Sequence, residues 1–232
     1  LNIPTLLLRE YFGFLTRLVL HMEKKGIAEM FSNMLLYEFR NIVFSFGQNL
    51  IWRRELIRLS RGKLLDVGTA TAIIPSIYRR GPSVGLDISL GMLRRAKRVC
   101  PLILGDGEDL PLKDSSFDTL TVAFTLRNIP NKEKAIGEFY RVLRDGGRLI
   151  ILEMKLERWN LAGILYSLFM VFLAPLFLSS FSDYAYLLKS MLNFPDDKKL
   201  KGMLERAGFR SVKIKVFFPG ITRLIYARKC TG

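Results

Sequence analysis

The sequence is short of the residues that build metal centres and disulfide frameworks. It has one histidine, His21, and two cysteines, Cys100 and Cys230. No Cys/His cluster has metal-ligand spacing, so no metal site is expected. Two lone cysteines read as small hydrophobes in a reducing compartment. Gln48 is the sole glutamine, and with so many arginines beside it the composition leans toward a thermophile. No internal repeat, low-complexity tract or linker interrupts the chain. Acidic residues are few as well, 21 against 36 basic ones, for a net charge of +15. That excess implies an anionic partner surface, either nucleic acid or anionic lipid. Half of the 232 residues are apolar and a quarter are charged, which suits one α/β domain with an added cap.

Residues 1–20 are apolar but broken by Arg9, Glu10 and Arg17. A secretory leader would carry an unbroken apolar region. Leu7, Leu8, Phe12, Leu15 and Val19 instead fall near helical spacing, which predicts an amphipathic helix. Its apolar side either packs on the domain or lies on a membrane surface. A second apolar stretch, Leu161 to Leu178, runs eighteen residues without a charge. That meets the length of a membrane span. A greasy cover helix dipping into the membrane interface is the preferred reading, and a buried packing helix the plain one.

Chemistry enters at Leu64-Leu65-Asp66-Val67-Gly68-Thr69-Ala70-Thr71-Ala72. A short apolar strand carries an acid, small residues follow, and a helix-capable run, 73–80, comes next. This is the strand–turn–helix entry of a nucleotide-binding α/β domain. Small side chains let backbone N–H groups approach a ligand closely. The signal is weak alone, because Ala70 and Ala72 stand where a G-x-G-x-G loop has glycines. A second strand ending in an acid, Ser83 to Asp87, follows at the expected distance, and its carboxylate suits two ribose hydroxyls. A third apolar strand, Leu102 to Leu104, leads to Asp106, suited to an adenine amino group, with Gly107 leaving room for the ring. The alternative for Asp106 is a solvated turn carboxylate. A helix is expected over 89–98 with Ser89 as its N-cap. Further strands are expected at 119–124 and 148–153, with a helix at 132–143 and a turn at 145–147. A helix beginning at Asp196 or Asp197 and ending at Gly208, then a hairpin of strands 212–218 and 222–228, complete the pattern.

Tyr37, Asn41, Ser45, Gly47, Trp52 and Arg53 stand at the spacing Y-[DE]-x-x-N-x-x-x-S-x-G-x-x-x-x-W-[RK]. With the run Phe124-Thr125-Leu126-Arg127-Asn128 and the segment from Tyr184 to Asp196, they resemble the ubiquinone/menaquinone C-methyltransferase family, within the class I S-adenosylmethionine-dependent methyltransferases. The resemblance covers 37 to about 228. It implies a class I, Rossmann-like α/β fold: a seven-stranded, mostly parallel sheet with helices on both faces and a helical cover. Residues 1–60 would form a helical lid, and 61–232 a methyltransferase domain with an apolar insertion at about 158–190. It implies S-adenosylmethionine as cofactor, held by Asp66, Gly68, Thr69, Ala70, Thr71, Asp87, Ile88, Met92, Asp106, Gly107, Ala123 and Phe124. Arg127 and Asn128 would serve catalysis, and Tyr37, Asn41 and Tyr186 would bind substrate. The alternative for Arg127 is a structural ion pair with an acid. The implied acceptor is a prenylated hydroquinone, demethylmenaquinol-like or benzoquinol-like. An anionic membrane surface and a second copy of the chain are the other expected partners, with a cytoplasmic, peripherally membrane-bound location. Rival readings are an RNA or other small-molecule methyltransferase, and a non-catalytic binding protein with a degenerate loop. Nucleic acid is disfavoured, because no Asn/Asp-Pro-Pro-Tyr/Phe pattern follows the fourth strand.

Overall fold

A computed structural model describes residues 45, 47–156, 161–172 and 181–230. The lid residues Tyr37 and Asn41, and the amphipathic stretch 1–20, lie outside the described residues. Helix α1 (Asn49–Leu59) leads into β1 (Leu64–Val67), α2 (Ile73–Ile77), β2 (Ser83–Asp87), α3 (Leu90–Arg95) and β3 (Leu102–Leu104). Then come β4 (Phe117–Ala123), a 3-10 turn (Leu126–Asn128), α4 (Lys132–Val142) and β5 (Leu143–Met154). After these stand α5 (Leu161–Phe172), α6 (Phe181–Asn193), α7 (Asp197–Arg206), β6 (Phe209–Phe217) and β7 (Thr222–Lys229).

The seven strands form one sheet in the order β3-β2-β1-β4-β5-β7-β6. β1 to β5 are parallel, and β7 runs antiparallel between β5 and β6. All four residues of β1 are buried, as befits a central strand covered on both faces. The chain winds outward from β1 to β3, then returns to β4 on the other side. β1 and β4 are therefore adjacent strands leading opposite ways, and the crevice beyond their C-terminal ends is the ligand position of such sheets.

One face of the sheet packs Leu120, Phe139, Leu200 and Phe209 with α4 and α7. The other packs Trp52, Leu56, Ile74, Ile150 and Leu224 with α1 and α2. Met154, Leu156, Tyr166, Leu188, Met191 and Ile221 form a third cluster. It fastens α5 and α6 beyond the end of β5 as a cover. Caps sit where the side chains allow: Ser89 accepts from Met92 N, Asn131 from Lys134 N and Asp196 from Lys199 N.

Several boundaries differ from the sequence pattern. The helix expected over 73–80 ends at Ile77, and the one over 89–98 ends at Arg95. Tyr78 leaves the helix in extended conformation and buries its ring, its hydroxyl donating to Gly62 O. The turn at 145–147 is absorbed into β5, where the register with β4 shifts between Phe117 and Thr119 and Gly146 takes φ +70°. The apolar run from Leu161 is helical through Phe172, and no described helix is long and apolar enough to cross a membrane.

Candidate active site

The crevice beyond β1 is built on close backbone approach. Gly68 has φ +70°, and a Cβ there would lie 2.2 Å from Thr125 Oγ1. Gly68 N and Thr69 N both donate to Leu86 O, which ties the turn to β2. Ala70 and Ala72 take the left-handed conformation, φ +47° and +57°, that glycine adopts without strain. These are the two positions where the sequence replaces the expected glycines. The loop keeps its glycine-like path at the cost of strain.

Asp87 secures that path. Its Oδ2 accepts from Ala70 N at 2.9 Å, and its Oδ1 from Ser89 N at 2.9 Å. Each oxygen keeps a lone pair for a further donor, such as a ribose hydroxyl. Burial raises the Asp87 carboxyl above the usual range against the pull of those N–H groups. Asp66 lies deeper, at 2 % exposure on β1, and accepts from Thr121 Oγ1 at 2.7 Å. Burial pushes its pKa up to about 6, only partly offset by the Thr121 bond. A cation placed beside it would restore the carboxylate. Asp66 lines the loop cleft together with Arg53, Thr69 and Ala70, and Asp87 stands behind the loop on Ala70 N.

The other expected cofactor residues divide by position. Thr69 and Thr71 are buried in the loop, and Ala123 lines the same cleft from the end of β4. Ile88 is exposed beside Asp87, while Met92 is buried on α3. Asp106 Oδ1 accepts from Glu108 N in an exposed turn, so the turn-residue alternative describes its present contact. Gly107 gives room to the protein itself, since a Cβ there would meet Ile129 Cδ1 at 3.1 Å. Phe124 has φ +58°, and its ring centroid stands 6.3 Å from that of Trp52.

The 3-10 turn holds the second cluster. Arg127 Nη1 pairs with Glu153 Oε1, and Arg127 N donates to Glu153 Oε2 at 3.1 Å. Glu153, the penultimate residue of β5, is fully buried and also accepts from Met154 N. Arg127 therefore has the acid partner that the structural alternative requires, although its Nε has no partner among the described residues. Tyr186 on α6 donates from its hydroxyl to Asn128 Oδ1 at 3.1 Å. Burial raises the Tyr186 phenol above its usual range, with Arg127 pulling the other way. The structure thus joins Arg127, Asn128 and Tyr186 in one cluster under the cover, while Tyr37 and Asn41 lie outside the described residues.

Sequence reasoning passed over two residues. Glu153 carries the same signal that identified Asp66 and Asp87, an apolar strand ending in an acid. Arg53 was legible only as one letter of the Trp-Arg pair. It lines the loop cleft at 5 % exposure with its guanidinium 5.8 Å from the centroid of the Phe124 ring.

The sequence pattern of the ubiE/COQ5 methyltransferase family matches residues 19–229. The demethylmenaquinone methyltransferase of Streptomyces griseus is 34% identical over 224 residues, spanning 90% of this chain and 97% of that protein. The protein of the same name from Staphylococcus carnosus is 35% identical, spanning 87% of this chain and 92% of its own. Among solved structures, a Thermotoga maritima S-adenosylmethionine-dependent methyltransferase, described as a possible histamine N-methyltransferase, superposes with a TM-score of 0.65. It is 21% identical and covers 88% of this chain and all of its own, a likeness of fold alone. The strand order, the switch-point crevice and the extent of these matches lead to one assignment: the chain is a class I S-adenosylmethionine-dependent methyltransferase and belongs to the ubiE/COQ5 methyltransferase family.

Proposed function

We propose that this protein methylates a ring carbon of a prenylated hydroquinone of the demethylmenaquinol kind. The observation that carries the reading is the cluster of Arg127, Asn128, Glu153 and Tyr186 beneath an apolar helical cover, at the end of the sheet that holds the cofactor crevice. S-adenosylmethionine supplies an electrophilic methyl group on a sulfonium, so the residues chiefly align the reactants and exclude water. Asp66 would hold the α-ammonium and Asp87 the ribose hydroxyls, with Asp106, Ile88 and Met92 as the residues that would line the base.

A ring carbon becomes nucleophilic when the adjacent hydroxyl loses its proton, whose pKa is about 10 by analogy with tyrosine. Arg127 stabilises the resulting oxyanion or orients a water that takes the proton. It is too basic to act as the base itself. Glu153 holds the guanidinium in place. The Tyr186 hydroxyl occupies Asn128 Oδ1, which leaves the Asn128 amide N–H groups to donate to the quinol oxygen. On this reading the segment before α1 would serve as the lid, and Tyr37 and Asn41 would bind the acceptor, as the family resemblance implies. α5 and α6 cover the isoprenoid tail.

A prenyl quinol resides in the bilayer, so the protein works at an anionic membrane surface, attached reversibly and from the cytoplasmic side. A homodimer is compatible with this arrangement. The test uses cofactor labelled on its methyl group and reduced demethylmenaquinone in anionic vesicles. Label is expected on a ring carbon of the quinol. Label passing to RNA and not to quinol would overturn the proposal.

A further inference from the structure

The described residues hold a buried cation that the proposed chemistry has not used. Arg53 follows Trp52 on α1, and Trp52 is locked at 1 % exposure against the rings of Phe124 and Phe217. That packing leaves Arg53 little freedom and carries its guanidinium into the cleft shared with Asp66, Thr69 and Ala70. Arg53 is 5 % exposed, yet its Nε and Nη1 have no hydrogen-bond partner among the described residues. Thr69 Oγ1 is buried in the same cleft without a well-formed hydrogen bond, close enough to Asp66 to draw its carboxyl down. Asp66 lies in this cleft but makes no ion pair with Arg53 among the described residues, and its Oδ1 is taken by Thr121.

An arginine side chain stays protonated, and a buried guanidinium without an acceptor is unfavourable until an anion meets it. Its planar fork matches a carboxylate, which can accept two parallel N–H bonds. The geometry points to Arg53 as the residue that binds the α-carboxylate of S-adenosylmethionine, with Thr69 Oγ1 as a second donor. Together with Asp66 on the ammonium, it forms a two-charge reader for the free amino acid end of the cofactor. This assignment rests on the cofactor assignment and adds the residue that distinguishes the whole cofactor from its fragments. The stacking of Arg53 on Phe124 contributes a cation–π contact that holds the fork in place before the cofactor arrives.

Calorimetric titration of the full chain tests this. Three ligands are compared: S-adenosylmethionine, S-adenosylhomocysteine, and methylthioadenosine, which lacks the amino acid end. Arg53→Gln is expected to weaken the first two at least tenfold and methylthioadenosine less than twofold. Arg53→Lys keeps the charge without the fork and is expected to fall between. The thermal midpoint of the cofactor-free protein should not drop in Arg53→Gln, because an unpaired buried cation has been removed. The increase in midpoint on adding S-adenosylhomocysteine should shrink. Unchanged affinity in Arg53→Gln, or an equal loss for all three ligands, would overturn the assignment. Wild-type protein that bound methylthioadenosine as tightly as S-adenosylhomocysteine would overturn it too. Wild-type protein that bound none of the three would overturn the cofactor assignment and this inference with it.

Discussion

Asp66 is a carboxylate at 2 % exposure on the wall of the loop cleft, and its energetics follow from that burial. Its folded pKa of about 6 lies above the ordinary value of 3.8, so the folded protein binds its proton more tightly than the unfolded chain does. The stability it contributes is fully present below about pH 4 and lost as pH rises through about 6. Asp66→Asn keeps an acceptor for Thr121 and removes the charge. We expect it to raise the stability of the cofactor-free protein at pH 8 by about 1–3 kcal/mol and to flatten the pH dependence between 4 and 7. Cofactor affinity should fall at the same time, because the ammonium loses its counter-ion. Thermal denaturation against pH and calorimetry measure the two effects. Asp87 behaves differently, since it is already bonded to Ala70 N and Ser89 N. Asp87→Ala should weaken cofactor binding at least tenfold, about 1.5–3 kcal/mol for lost bonds to a charged group. Unchanged affinity in a folded variant would remove Asp87 from the site. Ala70 carries φ +47°, a conformation that costs an alanine about 1 kcal/mol or more. Ala70→Gly should keep cofactor binding at least as tight as wild type, since the path of the loop is already that of a glycine. A folded Ala70→Gly variant without cofactor binding would contradict this.

The 3-10 turn and the end of β5 behave as one unit. Glu153 accepts from Arg127 N and pairs with Arg127 Nη1, so the acid fixes both the backbone of the turn and the side chain that the proposed reaction uses. Removing one member of a buried pair leaves the other charge uncompensated, at about 3–5 kcal/mol. Arg127→Met should therefore destabilise strongly, and adding Glu153→Gln should recover much of the loss. Additive effects in that double-mutant cycle, read by denaturant unfolding, would show that the two side chains do not act together. Glu153 was legible in principle, since an apolar run ending in an acid is a local pattern. Its partner was not, because only strand order sets the end of β5 against the turn that follows β4.

Taken whole, the molecule carries +15 and an apolar helical cover, on which Leu161 is 70% and Leu165 56% exposed. Each basic residue near an anionic surface adds about 1 kcal/mol of attraction. Salt screens that term over a Debye length of about 8 Å at physiological strength. We expect flotation with anionic vesicles and not with neutral ones, and release as salt rises. Retention at high salt with release only by detergent would favour insertion of the apolar run, and failure to float with any vesicle would make that run part of the core.

Local patterns in the sequence were enough to define much of this protein. Apolar runs ending in Asp66 and Asp87, the small residues between them, the cap at Ser89 and the helix start at Asp196 specify an alternating strand–helix chain. The alternation dictates a parallel sheet with a crevice at its switch point. Helix ends were harder to place, as at Ile77, where burial of the Tyr78 ring outweighs helical continuation. Tertiary structure alone decided which side chains meet. Arg127 joins Glu153 across 26 residues, and Tyr186 joins Asn128 across 58. Arg53 reaches a loop that begins fifteen residues later, at Gly68. Such pairings leave no periodicity in the chain, because they depend on where the sheet returns each segment and on which charges burial leaves without a partner.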